Sequence, residues 1–268
     1  MMHSTMGPDA PGKLKKRLRA AAAALFWVAV WQIAAIWLGE DLLLVSPLAV
    51  FHELLRLLPT GAFWLRVGFS AARILAGFLL ALAAGCALAM ASAASELVRT
   101  LAQPLMQFIK ATPVASFIIL ALLWVRSRNL AVLISFLMVL PVVYAAVLQG
   151  ILHTDRRLQE MARVFRLPFG TAVRAVWLPG VWPYFLQSCT VALGLCWKSG
   201  IAAEVIGLPG GSIGEALYQA KLYLSTGELF AWTFVIICVS AGFEKLFLAL
   251  LRRAGRCLGL ERAVRKWK

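Results

Sequence analysis

The sequence predicts an all-α, polytopic membrane protein, a helical bundle with six transmembrane helices. Of its 268 residues, 62% are hydrophobic and 15% are charged, and the mean hydropathy is +0.82. The hydrophobic residues form long runs that are separated by short basic segments. One soluble core cannot hide this much apolar surface, whereas a helix of about 20 apolar residues crosses the roughly 30 Å hydrocarbon layer of a bilayer.

Six apolar runs are long enough to cross a membrane. They cover residues 20–38, 68–92, 104–125, 130–150, 181–200 and 229–251. The third and fourth runs are separated only by the sequence RSRN, which predicts a tight hairpin; one buried helix bent at Asn129 is the alternative. The predicted organisation is a basic tail at 1–19, a membrane domain at 20–252 and a second basic tail at 253–268.

The basic residues predict how the chain is oriented in the membrane. With the N-terminus in the cytoplasm, 18 lysines and arginines outside the spans lie on the cytoplasmic side and five lie on the other side. The positive-inside rule therefore predicts that both termini are cytoplasmic. Because this arrangement accounts for the net charge of +15, we expect no nucleic-acid partner. The five cysteines form no C-x-x-C pair, so neither a disulfide framework nor a metal site is expected.

Two segments on the predicted outer side have local helix signals. In SPLAVFHELLRLL, Ser46 is placed as an N-cap before Pro47, and apolar residues follow at helical spacing. In EVIGLPGGSIGEALYQA, a glycine-rich turn precedes Ser212, and Glu215 follows three residues later. This spacing predicts a capping box at the start of a short helix.

A long polar segment, LQEMARVFRLPFGTAVRAVWLPG, lies between the fourth and fifth spans. Asp155 is a plausible N-cap for a first short helix, Pro168 stops that helix, and Gly170 frees the backbone for a turn. A second short helix then runs to Leu178 and Pro179, where the fifth span begins. The predicted location is the cytoplasmic surface, and a helix pair resting on lipid headgroups is the alternative.

The residue spacing in this segment resembles the cytoplasmic EAA signature of permease subunits in bacterial ATP-binding cassette importers. The signature has a glutamate followed by alanines, a glycine six residues after the glutamate, and an aliphatic-x-Leu-Pro ending. Met161 replaces the first alanine, and Arg166 stands where the signature has glycine, which would move the turn toward Pro168 and Gly170. The resemblance implies that segment 153–179 is a coupling loop, whose ATPase-contacting residues are Glu160, Met161, Ala162, Arg163, Phe165, Arg166, Gly170, Leu178 and Pro179.

The order and spacing of segments over residues 45–250 are similar to permeases of the nitrate, sulfonate and taurine importers. This resemblance implies a type I importer in the bacterial cytoplasmic (inner) membrane that carries a small anionic or zwitterionic solute. The implied partners are a second permease subunit, with a homodimer favoured over a heterodimer, two cytoplasmic ATPase subunits, an extracytoplasmic binding protein and membrane lipid. The chain has no G-x-x-x-x-G-K-[ST] motif, so ATP and magnesium are expected on the ATPase, and no catalytic site or cofactor is expected in this chain.

Five residues are candidates for the translocation path. They are Lys110, Thr112, Pro113, Lys198 and Glu204. An ionisable residue within a span is a functional candidate because its desolvation is costly, and a proline frees backbone groups. Lys198, with Glu204 as its partner, would attract an anion; the alternative is that the lysine snorkels to the interface.

Two other functions remain open from the sequence. One is a secondary transporter or channel that works without an ATPase. The other is an assembly or receptor subunit that has the same fold but does not transport.

Overall fold

The structure is a computed structural model that describes residues 10–39 and 44–260, and these residues are almost entirely helical. The long and short helices alternate along the chain. In order they are α1 (Ala10–Leu38), α2 (Pro47–Leu57), α3 (Gly61–Ala94), α4 (Glu96–Ala111), α5 (Val114–Ala121), α6 (Ser127–Leu152), α7 (Arg156–Val164), α8 (Phe169–Ala172) with a π-helical turn (Val173–Trp177), α9 (Leu178–Gly207), α10 (Ile213–Leu222) and α11 (Thr226–Cys257).

Five of the six predicted spans lie within single helices. These are the spans at 20–38, 68–92, 130–150, 181–200 and 229–251, which fall within α1, α3, α6, α9 and α11. In the described part of the chain, five helices are long and apolar enough to cross a membrane, or six if α4 and α5 together form one span. The tail boundaries predicted at residues 19 and 253 fall inside α1 and α11, and residues 1–9 and 261–268 lie outside the described residues.

The predicted third span, 104–125, is divided between α4 and α5 and does not form one continuous helix. The chain bends by 101° between α4 and α5. Thr112, at the bend, has an extended backbone with φ −78° and ψ 129°, because the ring of Pro113 disfavours the helical region for the residue before it. The alternative, in which the third and fourth runs form one helix bent at Asn129, is wrong. Helix α6 runs unbroken from Ser127 and contains Asn129.

One of the two compact units of the chain comprises the described residues up to 60 together with 220–231. Its buried centre is Val45, Val50 and Ala231. The indole N–H of Trp31 donates a hydrogen bond to the Val45 carbonyl at 3.1 Å. The predicted start of α2 is confirmed, because the Ser46 hydroxyl accepts a hydrogen bond from the amide three residues later.

The other unit comprises residues 61–219 and the described residues from 232 onward. Its core is formed by α3, α6 and α9, with Ile74, Ile134 and Leu193 fully buried. At Gly77, α3 approaches α6 so closely that an added Cβ would overlap the Val132 carbonyl. The three helices therefore form a tightly packed centre that positions the loops at both of its ends.

Many large apolar side chains on the outside of these helices are exposed. Examples are Leu79 and Leu80 on α3 and Ile237 and Leu246 on α11. On a helix in water this surface would be unfavourable, whereas lipid tails solvate it. The exposed apolar surface agrees with a membrane-embedded, multi-pass protein.

Candidate functional site

The segment that joins α6 to α9 is held by close contacts at both of its ends. Thr154, which follows α6, is buried, and its hydroxyl donates a hydrogen bond to the Gly150 carbonyl at 2.9 Å. The Thr154 carbonyl accepts a hydrogen bond from the Gln159 side chain at 2.9 Å. Gly180 in α9 lies so near that an added Cβ would come within 2.8 Å of the Thr154 hydroxyl. The end of α6 and the start of α9 are therefore packed against each other.

The first helix of this segment, α7, exposes apolar side chains to solvent. Its N-cap is Asp155, as predicted, and the Asp155 carboxylate accepts a hydrogen bond from the Arg157 amide at 2.9 Å. No residue of the helix is buried. We define the α7 patch as Met161, Val164 and Phe165, whose exposed fractions are 44%, 78% and 71%.

Charged side chains surround the α7 patch. Glu160, Arg163 and Arg166 are all exposed, whereas Ala162 is half-buried. An apolar centre with a charged rim is the composition of a protein–protein interface, in which the centre is desolvated and the rim stays wet. The arrangement brings the predicted ATPase-contacting residues 160–166 together on one short helix and its turn.

The turn after α7 is formed at Arg166. Arg166 has a φ of +46°, in the left-handed region. The Arg166 amide donates a hydrogen bond to the Arg163 carbonyl, and the Leu167 amide donates one to the Ala162 carbonyl, each at 3.0 Å. These two hydrogen bonds form a Schellman motif, which ends helices at a residue that is usually glycine. Arg166 thus adopts the conformation for which the signature has glycine.

The prediction that Pro168 and Gly170 move this turn to a later position is therefore wrong. The helix ends at Val164, four residues before Pro168, and Gly170 lies within α8. Pro168 instead precedes α8, where its carbonyl accepts a hydrogen bond from the Ala172 amide at 2.9 Å.

The second half of the segment is continuous with α9. The π-helical turn Val173–Trp177 follows α8 directly, and the Leu178 amide donates a hydrogen bond to the Val173 carbonyl. Pro179 is buried in the first turn of α9. The predicted second helix joins the fifth span directly, as expected, and the structure makes it an extension of that span.

Three of the predicted path residues lie at the α4–α5 bend. Lys110 is exposed and Thr112 is half-buried, and the Thr112 hydroxyl donates a hydrogen bond to the Phe108 carbonyl at 2.8 Å. The predicted opening of the helix at Pro113 is confirmed by the bend. Their place in a translocation path stays a prediction.

The predicted pairing of Lys198 with Glu204 is wrong. Lys198 is exposed, whereas Glu204 is 0% exposed, and no ion pair joins them in the described part of the chain. Six residues of α-helix correspond to a rotation of about 600°, which leaves the two side chains on different faces of α9. Glu204 points instead into the protein, toward α3 and the start of α10.

We define the Glu204 network as Ser70, Glu204 and the amides of Ile213 and Gly214. The Ser70 hydroxyl donates a hydrogen bond to the Glu204 carboxylate at 2.6 Å and accepts one from the Ile213 amide at 2.9 Å. The Gly214 amide donates to the same carboxylate oxygen at 3.3 Å. A Cβ at Gly214 would overlap Glu204, so glycine allows α10 to pack directly on α9. The network joins α3, α9 and α10.

The start of α10 has the predicted capping box. The Glu215 amide donates a hydrogen bond to the Ser212 hydroxyl at 3.0 Å, and the Glu215 carboxylate accepts one from the Gly211 amide at 2.6 Å. Local hydrogen bonds and the Glu204 network together hold the loop between α9 and α10 in one shape.

Sequence reasoning missed Arg73, which lies within the predicted second span. Its guanidinium carbon stands 3.8 Å from the centroid of the Phe69 ring. One guanidinium nitrogen, Nη1, is buried and has no hydrogen-bond partner among the described residues. An arginine inside an apolar run was the signal that could have identified it, because ionisable residues within spans are costly and commonly functional.

Comparison with known proteins identifies the family. Residues 74–254 match the family described as binding-protein-dependent transport system inner membrane component. A protein named as an aliphatic sulfonates transport permease of Escherichia coli (strain K12) is 32% identical over 202 residues, which cover 74% of this chain and 76% of that protein. The nitrate import permease protein of Leptolyngbya laminosa is 28% identical over 171 residues, covering 63% of this chain and 60% of that protein.

The fold is also found in a solved structure. The crystal structure of an amino acid ABC transporter with histidines superposes with a TM-score of 0.51 and 18% identity, covering 71% of this chain and 94% of that chain. At this identity the likeness concerns the fold alone. The family match extends from α3 to α11 and contains the whole segment between α6 and α9. This chain belongs to the family of binding-protein-dependent transport system inner membrane components, which are permeases of ATP-binding cassette transporters.

Proposed function

We propose that this chain is the transmembrane permease subunit of an ATP-driven, binding-protein-dependent importer for a small anionic or zwitterionic solute. Family membership supports the transport role, and segment 153–179, which we call the coupling segment, supports the ATP-driven mechanism. The observation that carries the proposal is the short path from the exposed α7 patch, through the Schellman turn at Arg166, into α9.

The α7 patch is the proposed docking surface for the ATPase. Phe165 and Val164 are exposed enough to enter an apolar groove on a partner, and a buried aromatic side chain is a common anchor of binding energy. Glu160 and Arg163 at the rim form charge-assisted hydrogen bonds with the partner, which set the orientation of docking. The charges around the apolar centre favour a protein groove over a lipid surface as the partner. Lipid headgroups would attract the arginines, but they would not attract the negatively charged Glu160.

The coupling segment transmits movement of the ATPase to the membrane helices. Because the part that begins at Phe169 is continuous with α9, its rotation is a rotation of the spanning helix. The contact of Thr154 with Gly180 makes the end of α6 follow the start of α9. Leu178 and Pro179 lie where the π-helical turn meets α9, so they belong to the joint through which the movement passes.

The complete transporter contains further subunits. We propose a second copy of this permease, two cytoplasmic ATPases that hold ATP and magnesium, and an extracytoplasmic binding protein that delivers the solute. Both termini and the coupling segment face the cytoplasm of a bacterial inner membrane. The loop before α10, which the Glu204 network shapes, faces the binding protein.

The solute is proposed to be an anion or a zwitterion. The two relatives described above are named for sulfonates and for nitrate, which are both anionic. Lys198, exposed on α9, and Lys110, next to the α4–α5 bend, are cations of this chain that such a solute can meet on its path.

Copurification and ATP hydrolysis test the proposal. The tagged permease, expressed together with its ATPase and solubilised in detergent, is expected to retain the ATPase. In proteoliposomes, the binding protein loaded with its solute should stimulate ATP hydrolysis. Transport without any ATPase would mean that the chain is a secondary transporter or channel. If the loaded binding protein does not stimulate ATP hydrolysis, the chain would be an assembly or receptor subunit.

A further inference from the structure

A cavity lies between the start of α6, α3 and the loop that follows α9. Its volume is about 470 Å³, within the roughly 300–1,000 Å³ of small-molecule sites. Its walls combine polar and apolar groups. The lining residues are Phe69, Ser127, Arg128, Leu208, Pro209 and Gly210.

The polar side of this cavity is positively charged. Arg128 is exposed and lines the wall together with Ser127, the first residue of α6. The N-terminus of α6 has no side-chain cap, and the helix dipole places partial positive charge there. The Asn129 amide donates to the Arg126 carbonyl, which leaves the amides of Ser127 and Arg128 as possible donors. An oxyanion at this place meets a guanidinium, a hydroxyl and helix amides together.

Arg73 adds a second positive charge beside the cavity. Its guanidinium packs on the ring of Phe69, which lines the cavity wall. The Arg73 guanidinium is attracted by the Glu204 carboxylate and, more weakly, repelled by Arg128. The nearby carboxylate of Glu204 accepts hydrogen bonds from Ser70 and Gly214, while Nη1 of Arg73 has no hydrogen-bond partner among the described residues.

The apolar side of the cavity selects among anions. Phe69, Leu208 and Pro209 offer carbon surface that an inorganic ion such as nitrate cannot use. A short organic sulfonate places its oxygens on Arg128 and Ser127 and its carbon chain against this surface. The burial of each methylene group contributes to the affinity.

We propose that this cavity is a binding site of the permease for a small organic sulfonate, with Arg128 as the principal anion ligand and Phe69, Leu208 and Pro209 as the surface for its carbon chain. The Glu204 network holds the α9–α10 loop that forms one wall, so the site exists before the solute arrives. The inference rests on the proposed import of an anion and goes beyond it, because it assigns a site to the permease itself and favours organic over inorganic anions.

Direct binding tests the site without any ATPase or binding protein. The full chain in lipid nanodiscs is titrated with ethanesulfonate and, separately, with nitrate, in the millimolar range by isothermal titration calorimetry. Saturable binding of ethanesulfonate is expected, with nitrate at least about fivefold weaker, because nitrate buries no carbon. Absence of saturable ethanesulfonate binding, or equal binding of nitrate, would overturn the proposal.

Two arginine variants localise the binding. Arg128→Gln removes a charge from the cavity wall and is expected to weaken ethanesulfonate binding about tenfold or more, as for loss of a charge-assisted hydrogen bond. Arg126→Gln is the matched control, because Arg126 is also exposed and lies two residues away but does not line the cavity. Equal effects of the two substitutions would contradict the assignment.

The binding test of the cavity and the copurification test of the importer function can fail independently. If the parent chain copurifies with its ATPase but binds no ethanesulfonate, the importer function stands and the site does not. If ethanesulfonate binds in the cavity but no ATPase associates with the chain, the site stands and the ATP-driven mechanism does not.

Discussion

At the scale of single residues, Arg166 maintains the turn after α7 at a conformational cost. A non-glycine residue in the left-handed region is disfavoured by about 1–2 kcal/mol relative to the right-handed region, because its Cβ approaches the following carbonyl. The two hydrogen bonds of the Schellman motif offset this cost. The exposed Arg166 side chain in return adds a positive charge to the rim of the α7 patch.

Arg166→Gly is expected to stabilise the turn. Glycine relieves the backbone strain, but its greater unfolded-state entropy cancels part of this effect. The turn should therefore be more stable by about 0.5–1 kcal/mol. Hydrogen exchange at the Leu167 amide should be about two- to fivefold slower. Arg163→Gly, inside α7, is the control and should accelerate exchange, because glycine is unfavourable in a helix. Faster exchange in Arg166→Gly would contradict the assigned turn.

The Glu204 network makes a second prediction at this scale. Ser70→Ala leaves the buried carboxylate and the Ile213 amide each without one partner, which should destabilise the protein by about 2 kcal/mol or more. Ser188→Ala is the control, because the buried Ser188 hydroxyl bonds only locally, to the Phe185 carbonyl. Thermal unfolding in detergent should show a clearly lower melting temperature for Ser70→Ala than for Ser188→Ala. Equal melting temperatures would mean that the network contributes little.

The sequence predicted the local side-chain partners but not the distant ones. Ser46, Asp155 and Ser212 were identifiable as caps because a cap depends on residues two to four positions away. Ser70 and Glu204 are 134 residues apart, and only the packing of α3 against α9 brings them together. For this reason the sequence favours Lys198, the nearest opposite charge along the chain, as the partner of Glu204.

At the scale of helices, the two breaks in regular structure have different origins. The bend between α4 and α5 was predictable at Pro113, but its angle of 101° depends on how the short α5 packs against α6 and α9. The π-helical turn Val173–Trp177 had no recognisable signal in the sequence. Hydrophobic runs thus located the spans, whereas the bend angle and the π-helical turn required the structure.

Continuity through the π-helical turn should be necessary for coupling. Insertion of two glycines between Trp177 and Leu178 adds flexible residues between α8 and α9 and should leave α7 intact. The ATPase is then expected to copurify as before, while uptake in proteoliposomes falls at least about tenfold. The same insertion between Leu224 and Ser225, in the turn before α11, is the control. Full uptake with the first insertion would show that movement does not pass through this turn.

At the scale of the whole molecule, the bent pair α4–α5 decides the topology. If the pair crosses the membrane, α2 and the coupling segment lie on opposite sides; if it does not, they lie on the same side. The charge bias of 18 to five favours the first arrangement. The hydrophobic pattern alone could not distinguish a broken span from a re-entrant one.

Cysteine labelling tests this topology. In a chain whose exposed Cys238 and Cys257 are replaced by serine, His52→Cys on α2 and Arg157→Cys on α7 offer exposed thiols. An impermeant thiol reagent should label the first from outside intact cells and the second only in inside-out vesicles. Labelling of both from the same side would mean that the bent pair does not cross.

We propose that the α7 patch connects this permease to ATP hydrolysis, and ATP-driven uptake tests this role most directly. Phe165→Asp places a charge at the centre of the proposed interface and should abolish both ATPase copurification and uptake, while membrane insertion persists, because burial of an unpaired charge is costly. Phe51→Asp, at a similarly exposed phenylalanine of α2, should retain ATPase copurification. Normal uptake by Phe165→Asp, measured in proteoliposomes with ATPase, ATP and loaded binding protein, would contradict the account.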